Sequence, residues 1–276
     1  MPQARPTPQA RAPQRPVGDI LRDWRQRRRL SQLDLATEAN ISTRHLSFVE
    51  TGRSAPSREM ILHLAEQLNV PLRERNVLLV AAGFAPIFPE RRLDDPAIAS
   101  ARRAIDIVLA GHEPYPAVAI DRHWNLVAAN NAIGPFLEDC DATLVTAPIN
   151  ALKLSLHPGG LAPRIENFSE WRSHLIARLR HQIEVTADPV LEALLGEVLD
   201  YPVPLARPHQ SHGHEAHDLF VPLRLKTSAG PLAFISTTTV FGTPVDVTLA
   251  ELAIEAFLPA DQATADILRR LADEEE

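Results

Sequence analysis

The stretch LSQLDLATEANISTRHLSFVETGRSAP, residues 30 to 56, leaves the chain little choice about its local fold. Ser31 has a side-chain oxygen that can accept from an orphan helix-start amide, so it reads as an N-cap. Leu33, Leu35, Ala36 and Ala39 follow as an apolar face, and Asn40 tolerates the left-handed conformation that ends a helix. Ser42 restarts the helix, Leu46, Val49 and Glu50 recur at helical spacing, and Gly52 and Pro56 close it. Two short helices joined by a tight turn have the geometry that lays the second helix in the DNA major groove. The face left over on that helix carries Ser42, Thr43, Arg44, His45, Ser47 and Phe48. These are hydrogen-bonding or planar side chains rather than the Glu/Lys mixture of an idle surface. An ordinary helical hairpin is the plainer alternative.

Three more helices complete a small bundle. Gly18 or Asp19 begins a helix with Ile20, Leu21 and Trp24 on one side. Five arginines lie between positions 22 and 29, and phosphate contact is their natural use. Ser57 caps a helix running to Asn69, and Pro71 starts another, Leu72 to Ala82, stopped by Gly83.

These motifs resemble the lambda-repressor-like, XRE-type helix-turn-helix domain over Val17 to about Pro71. The marks are SQxxLA at the start of the second helix, ISxxxLSxxExG across the third, and the following PSREMILHLAEQLNV. The resemblance implies that Gln32 holds a phosphate and that Thr43, Arg44, Ser47 and Phe48 face the bases. Ser42, His45 and Arg53 complete the candidate DNA-binding set. Phe48 departs from the polar residue usual in that family, so it either meets a thymine methyl or packs. Arg44, near the start of the recognition helix, is within reach of guanine O6 and N7 for a bidentate contact.

Charge agrees with this division. The whole chain is formally −7, yet residues 1 to 80 hold 13 Arg against 8 acidic residues, a net of +5. The remaining 15 Lys or Arg and 27 acidic residues give −12. Phosphate attraction acts over about 10 Å, so the local sign outweighs the total. The single cysteine, Cys140, excludes an internal disulfide, and it reads as an idle thiol rather than a redox sensor. No apolar run reaches membrane-span length, and the start MPQARPTPQARAPQRP has no apolar signal core, so the cytoplasm is the expected location.

The domain organisation follows from composition. Residues 1–16, with five prolines and three arginines, read as a disordered arm; 17–83 as the helix-turn-helix domain; and 84–110 as a linker with a connecting helix, Pro96 to Leu109. Residues 111–273 form a second domain, in which strand signals first appear. PAVAID (116–121) and NLVAAN (125–130) are short β-type runs turning at Arg122 to Trp124. Glu166 to Gln182 and Asp188 to Leu199 are amphipathic helices. DLFVPLRLK (218–226), PLAFISTTTVFG (231–242) and Leu249 to Leu258 read as strands, and Asp261 caps a last helix. The fold class expected is an all-α five-helix domain followed by an α+β domain, a sheet with one face covered by helices.

GHEPYPAVAIDRHWNLVAANNA, the LHPGGL element and PLAFISTTTVFGTPVDVTLAELAIEAFLPADQAT resemble the MmyB-type domain that follows an XRE helix-turn-helix in bacterial regulators. That domain is similar to a PAS sensor, an antiparallel sheet with helices enclosing a small-molecule pocket. The resemblance implies a regulator of transcription with an apolar or fatty-acid-like effector. Tyr115, Trp124, Asn130, Phe136, Phe220 and Phe234 are the candidate ligand-binding residues. His112, Glu113 and Asp121 near the first strands read first as capping and turn residues. Phe241 and Phe257 add further aromatic surface.

The alternative effector is a metal. His209, His212, His214 and His217, with Glu215 and Asp218, have the spacing of a zinc or nickel site. QSHGHEAH, however, has no apolar residue to fix a rigid second shell. No cofactor is expected. Nor is catalysis, since neither a G-x-S-x-G elbow nor a phosphate-cradling glycine loop is present. A recognition helix reads only a few base pairs, so the expected assembly is a homodimer on operator half-sites about 34 Å apart.

Overall fold

The computed structural model describes residues 15–93, 95–204, 220–242 and 244–275. It divides into two compact units, Met1–Glu90 and Arg91–Glu276.

The first unit is the expected five-helix bundle: α1 (Val17–Arg27), α2 (Gln32–Glu38), α3 (Thr43–Glu50), α4 (Arg58–Gln67) and α5 (Leu72–Ala81). Serines start three of them. Ser31 forms a reciprocal capping box with Asp34, Ser42 accepts from the His45 amide at 3.1 Å, and Ser57 from the Met60 amide at 3.2 Å. Asn40 (φ 52°) and Gly52 (φ 70°) take left-handed backbone where the two short helices end. Leu21, Trp24, Leu35, Leu46, Ile61, Leu64, Leu68, Leu78 and Leu79 make the core. Leu33, expected on the apolar face of α2, is instead 63 % exposed. It stands two residues before Leu35, some 200° around the helix from it.

Gly18 sits where α1 meets the end of α3. A Cβ there would lie 2.4 Å from the Val49 carbonyl oxygen and 2.7 Å from that of Glu50. Close backbone approach, not turn chemistry, explains this glycine. The proline-rich run after α5 is tied back to that helix. Asn76 accepts from the amides of Ile87 and Phe88 at 3.1 Å and donates to the Phe88 carbonyl at 2.7 Å.

The second unit is built on a five-stranded antiparallel sheet, in the order β2-β1-β5-β4-β3. Its strands are β1 (Ala117–Ile120), β2 (Leu126–Ala129), β3 (Leu223–Thr227), β4 (Gly230–Val240) and β5 (Ala253–Pro259). One face carries Val118, Ile120, Leu223, Leu225, Leu232, Phe234 and Phe257. Packed into that core are α8 (Ala151–Leu156), α9 (Phe168–Thr186), α10 (Pro189–Asp200) and α12 (Gln262–Glu275), along with the single-turn α7 (Gly134–Leu137).

The opposite face is not bare, contrary to the one-sided expectation. Ala117, Ala119, Ile254 and Ala256 receive Ile105 and Leu109 of α6 (Ala99–Ala110). The small alanines let the helix approach closely, so the helix that reads as a connector is part of the second unit's core. Two strand expectations also change. Of the run 218–226, the described residues, from Phe220 on, are strand only from Leu223, and 249–258 begins inside the single-turn α11 (Val247–Ala250), capped by Asp246. Only from Ala253 does the chain reach a sheet neighbour.

Candidate functional site

In the first unit the expected recognition face is α3. Ser42, Thr43 and Arg44 are exposed, and His45, Ser47 and Phe48 half-buried. Ser42 already spends one acceptor on its cap. Phe48 neither joins the core nor projects alone. The Arg44 guanidinium lies 5.3 Å above its ring and that of Arg53 6.0 Å away. Two cations on one aromatic ring make a compact basic surface at the exposed side of the helix.

Beneath it lies a feature that sequence reasoning missed. Glu50 is 1 % exposed, and Arg25 grips both its oxygens, at 2.6 and 2.9 Å. Gln32 Nε2 donates to Glu50 Oε2 at 2.7 Å, and Arg22 donates to the Glu50 carbonyl at 3.0 Å. Burial alone would raise the Glu50 pKa; the bonds from Arg25 and Gln32 and the charges of Arg25 and Arg22 together hold it below the ordinary value. The network joins α1, α2 and α3, and so fixes the angle at which α3 is presented. Gln32 therefore has a structural partner besides any phosphate.

The five arginines between positions 22 and 29 need correction as phosphate contacts. Arg22 and Arg25 are drawn to Glu50, and Arg28 donates to the Leu68 carbonyl at 2.8 Å and the Asn69 carbonyl at 3.1 Å. These helix-end carbonyls have no intrahelical donor, so guanidinium groups serve them. Arg27 and Arg29 are the two that remain exposed.

In the second unit an apolar cavity of about 60 Å³ lies between the sheet and the helices, with Trp124, Phe136, Leu152, Trp171, Phe257 and Glu255 among its walls. Trp124 and Phe136 are candidates from sequence; Leu152, Trp171 and Glu255 were missed. Phe234, fully buried, backs the wall through an edge-on contact to Phe136 at 5.4 Å. Tyr115 packs at the margin of the same core, its hydroxyl accepting from Arg269 at 3.2 Å.

Of the six candidates only Trp124 and Phe136 line the cavity itself, and two stand apart from it altogether. Asn130 is buried but fully employed: it accepts from the Ala117 amide and donates to the carbonyls of Leu109 and Tyr115. It ties the end of β2 to the start of β1 rather than facing a ligand. Phe220 precedes the strand it was read into and is 48 % exposed. Asp121 is a turn residue, accepting from the amides of His123 and Asn125. Glu113 accepts from the Asn131 amide at 3.2 Å. Phe241 is partly buried on the α6 side of the sheet. Cys140 is half-buried, and burial pushes its thiol up, away from reactive thiolate character.

Segment 131–137 separates two spaces. Ile133, Phe136 and Leu137 face the cavity, whereas Asn131, Ala132, Gly134 and Pro135 line an open groove of about 760 Å³. Arg164 pins this wall from behind through the carbonyls of Pro135 and Phe136 at 3.1 and 3.2 Å.

The histidine run His209–His217 lies outside the described residues. Among the described residues, no group of three or more His, Cys, Asp or Glu is placed to hold a metal. Among them too, no helix is long and apolar enough to cross a membrane.

Comparison with known proteins agrees with this division. Residues 21–75 match the helix-turn-helix family. A protein of Methanoculleus marisnigri, provisionally named an HTH-type transcriptional regulatory protein, is 34 % identical over 116 residues. That alignment covers 40 % of this chain and 37 % of the relative, so the chain spans well under half of its length. Residues 101–271 match the MmyB-like transcription regulator ligand binding domain, more than half of the chain. The protein belongs to the family of regulators that this ligand-binding domain defines.

Proposed function

We propose that the protein is a sequence-specific transcriptional regulator, a homodimer that reads an operator through α3 and changes its DNA affinity when the second unit binds a small apolar effector. The observation that carries this reading is the pairing on one chain of two unlike surfaces. One is an exposed helix face with Arg44 and Arg53 over Phe48. The other is an apolar cavity walled by Trp124, Phe136, Trp171 and Phe257. The first suits DNA; the second suits a small apolar molecule.

The protein acts in the cytoplasm by binding, not catalysis. Its cavity is well below the roughly 300–1,000 Å³ of drug-sized ligand sites, so a fatty-acid-like effector would have to displace the 131–137 wall.

Selection of bound duplexes from a random pool tests the first half: a palindromic pair of half-sites about 34 Å apart is expected. Monomeric behaviour at micromolar concentration, with and without the selected duplex, would remove the dimer. Mass spectrometry of the molecule extracted from purified protein, followed by its effect on operator affinity, tests the second half. An effector that binds without changing operator affinity would sink the coupling.

A further inference from the structure

The apolar cavity has one charged wall. Glu255 lies in the middle of β5, 5 % exposed, between Ile254 and Ala256, which face the other way. Its Oε1 accepts from Arg178 and, at 3.5 Å, from Thr238 Oγ1. Its Oε2 has no hydrogen-bond partner among the described residues. Ser155, 8 % exposed and also lining the cavity, accepts from the Trp171 indole N–H at 3.0 Å. Its own hydroxyl proton has no acceptor among the described residues. An acceptor oxygen with no protein donor, on a residue that lines an apolar space, is one that a ligand's donor group can satisfy.

We infer that the effector is a compact neutral molecule, an apolar body bearing one donor group, a hydroxyl or amide N–H, that bonds to Glu255. This rests on reading the cavity as the effector site. The charge balance selects the class. Arg178 stacks over the Trp124 ring at 4.8 Å and neutralises Glu255 from outside the lining, so the pair offers no net charge. An ammonium would remain uncompensated there, and a carboxylate would meet the Glu255 charge first. His174, stacked on Trp171 at 5.5 Å, supplies no second cation. Burial, then the Arg178 charge, lowers its pKa, which keeps it neutral at pH 7. A neutral donor meets neither objection. The volume, about 60 Å³, admits only a few non-hydrogen atoms before the walls must move.

The test uses the full chain and a matched series: propan-1-ol, propanoate and propylammonium. Trp24, Trp124 and Trp171 are the protein's three tryptophans, so ¹⁵N-edited spectra give three indole resonances. Trp124 and Trp171 report the cavity, while Trp24, in the first unit, is the internal control. Propan-1-ol should shift the two cavity indoles and leave Trp24 unmoved, with both charged analogues at least tenfold weaker. Glu255→Gln, which keeps an acceptor but removes its charge, should weaken the alcohol about fivefold. Should that variant misfold, Ser155→Ala provides a second variant, expected to weaken the alcohol severalfold. Propanoate binding as tightly as the alcohol, and lost in Arg178→Gln, would overturn the inference in favour of an anionic head. Equal binding of all three probes, indifferent to Glu255→Gln and Ser155→Ala, would overturn donor recognition yet leave the cavity as an effector site. If neither the series nor xenon moves Trp124 and Trp171, the cavity takes no ligand, and the reading beneath the inference fails with it.

Discussion

Each unit pairs an arginine with a buried glutamate, and the two pairs do different work. Around Glu50 every oxygen is taken: Arg25 holds both, Gln32 adds a third bond, and the side chain has no exposure at all. Around Glu255 one oxygen is taken, Arg178 keeps 28 % of its side chain exposed, and a void lies alongside. The first pair is scaffold. It joins three helices and leaves nothing for a partner to satisfy. The second retains bonding capacity beside empty space, which is what a ligand site needs. Saturation and packing, more than charge, separate structure from site here.

The largest expected effect breaks the scaffold. Glu50→Ala leaves Arg25 buried without its partner and should cost about 3–5 kcal/mol in the first unit, read by urea unfolding at the Trp24 indole. The same substitution in the second unit sharpens the contrast. Glu255→Ala should cost less, about 1–3 kcal/mol at the Trp171 indole, because water can reach Arg178. Equal losses would undo the distinction between the pairs.

Gly18→Ala probes whether α1 and α3 must touch. With 2.4 Å available to the new Cβ, a loss of about 1–3 kcal/mol is expected, again at Trp24. An unchanged midpoint would mean the α1–α3 contact can open without cost.

On the DNA side, Arg44→Ala should cost about 1–3 kcal/mol of operator affinity and flatten the preference at one base pair per half-site. Gln32→Ala should weaken all sequences alike, and, through its bond to Glu50, also lower stability by about 1 kcal/mol. A panel of single-base operator variants at fixed salt separates the two. A uniform loss for Arg44→Ala would make it a phosphate contact.

The smallest effect is acid sensitivity. The Glu50 pKa in the folded protein lies below the ordinary 4.5. The stability it contributes is therefore complete above pH 4.5 and disappears as the pH falls through the lower folded value. Urea midpoints at Trp24 should fall below that pH, and Glu50→Gln should flatten the slope. A slope unchanged in the variant would assign the acid response to other carboxylates.

The helix-turn-helix was legible because its signals are local. Ser31, Ser42 and Ser57 cap the helices they precede, and Asn40 and Gly52 take the turns that only such residues enter easily. The strands around Val118 and Phe234 were legible as short runs of β-type residues. The segment 249–258 was not, since Asp246 caps a turn of helix before the chain reaches the sheet. Glu255 carried a signal that alternation did not interpret, a charged residue inside an apolar strand. Phe220 and Asn130 show the converse: residue type suggested a pocket, and position denied it.

By itself the sequence determined the capped helices, the β-type runs, the charge division and the motifs of two families, all of them legible from nearby residues or from simple counts. Tertiary structure decided which arginines are spent on Glu50 and on helix-end carbonyls, and that Arg178 finds Glu255 across 77 positions. It also decided that an apolar wall carries one half-satisfied carboxylate. The reason is physical: a hydrogen bond or a cavity depends on distances between groups that no local pattern encodes, and burial sets their worth.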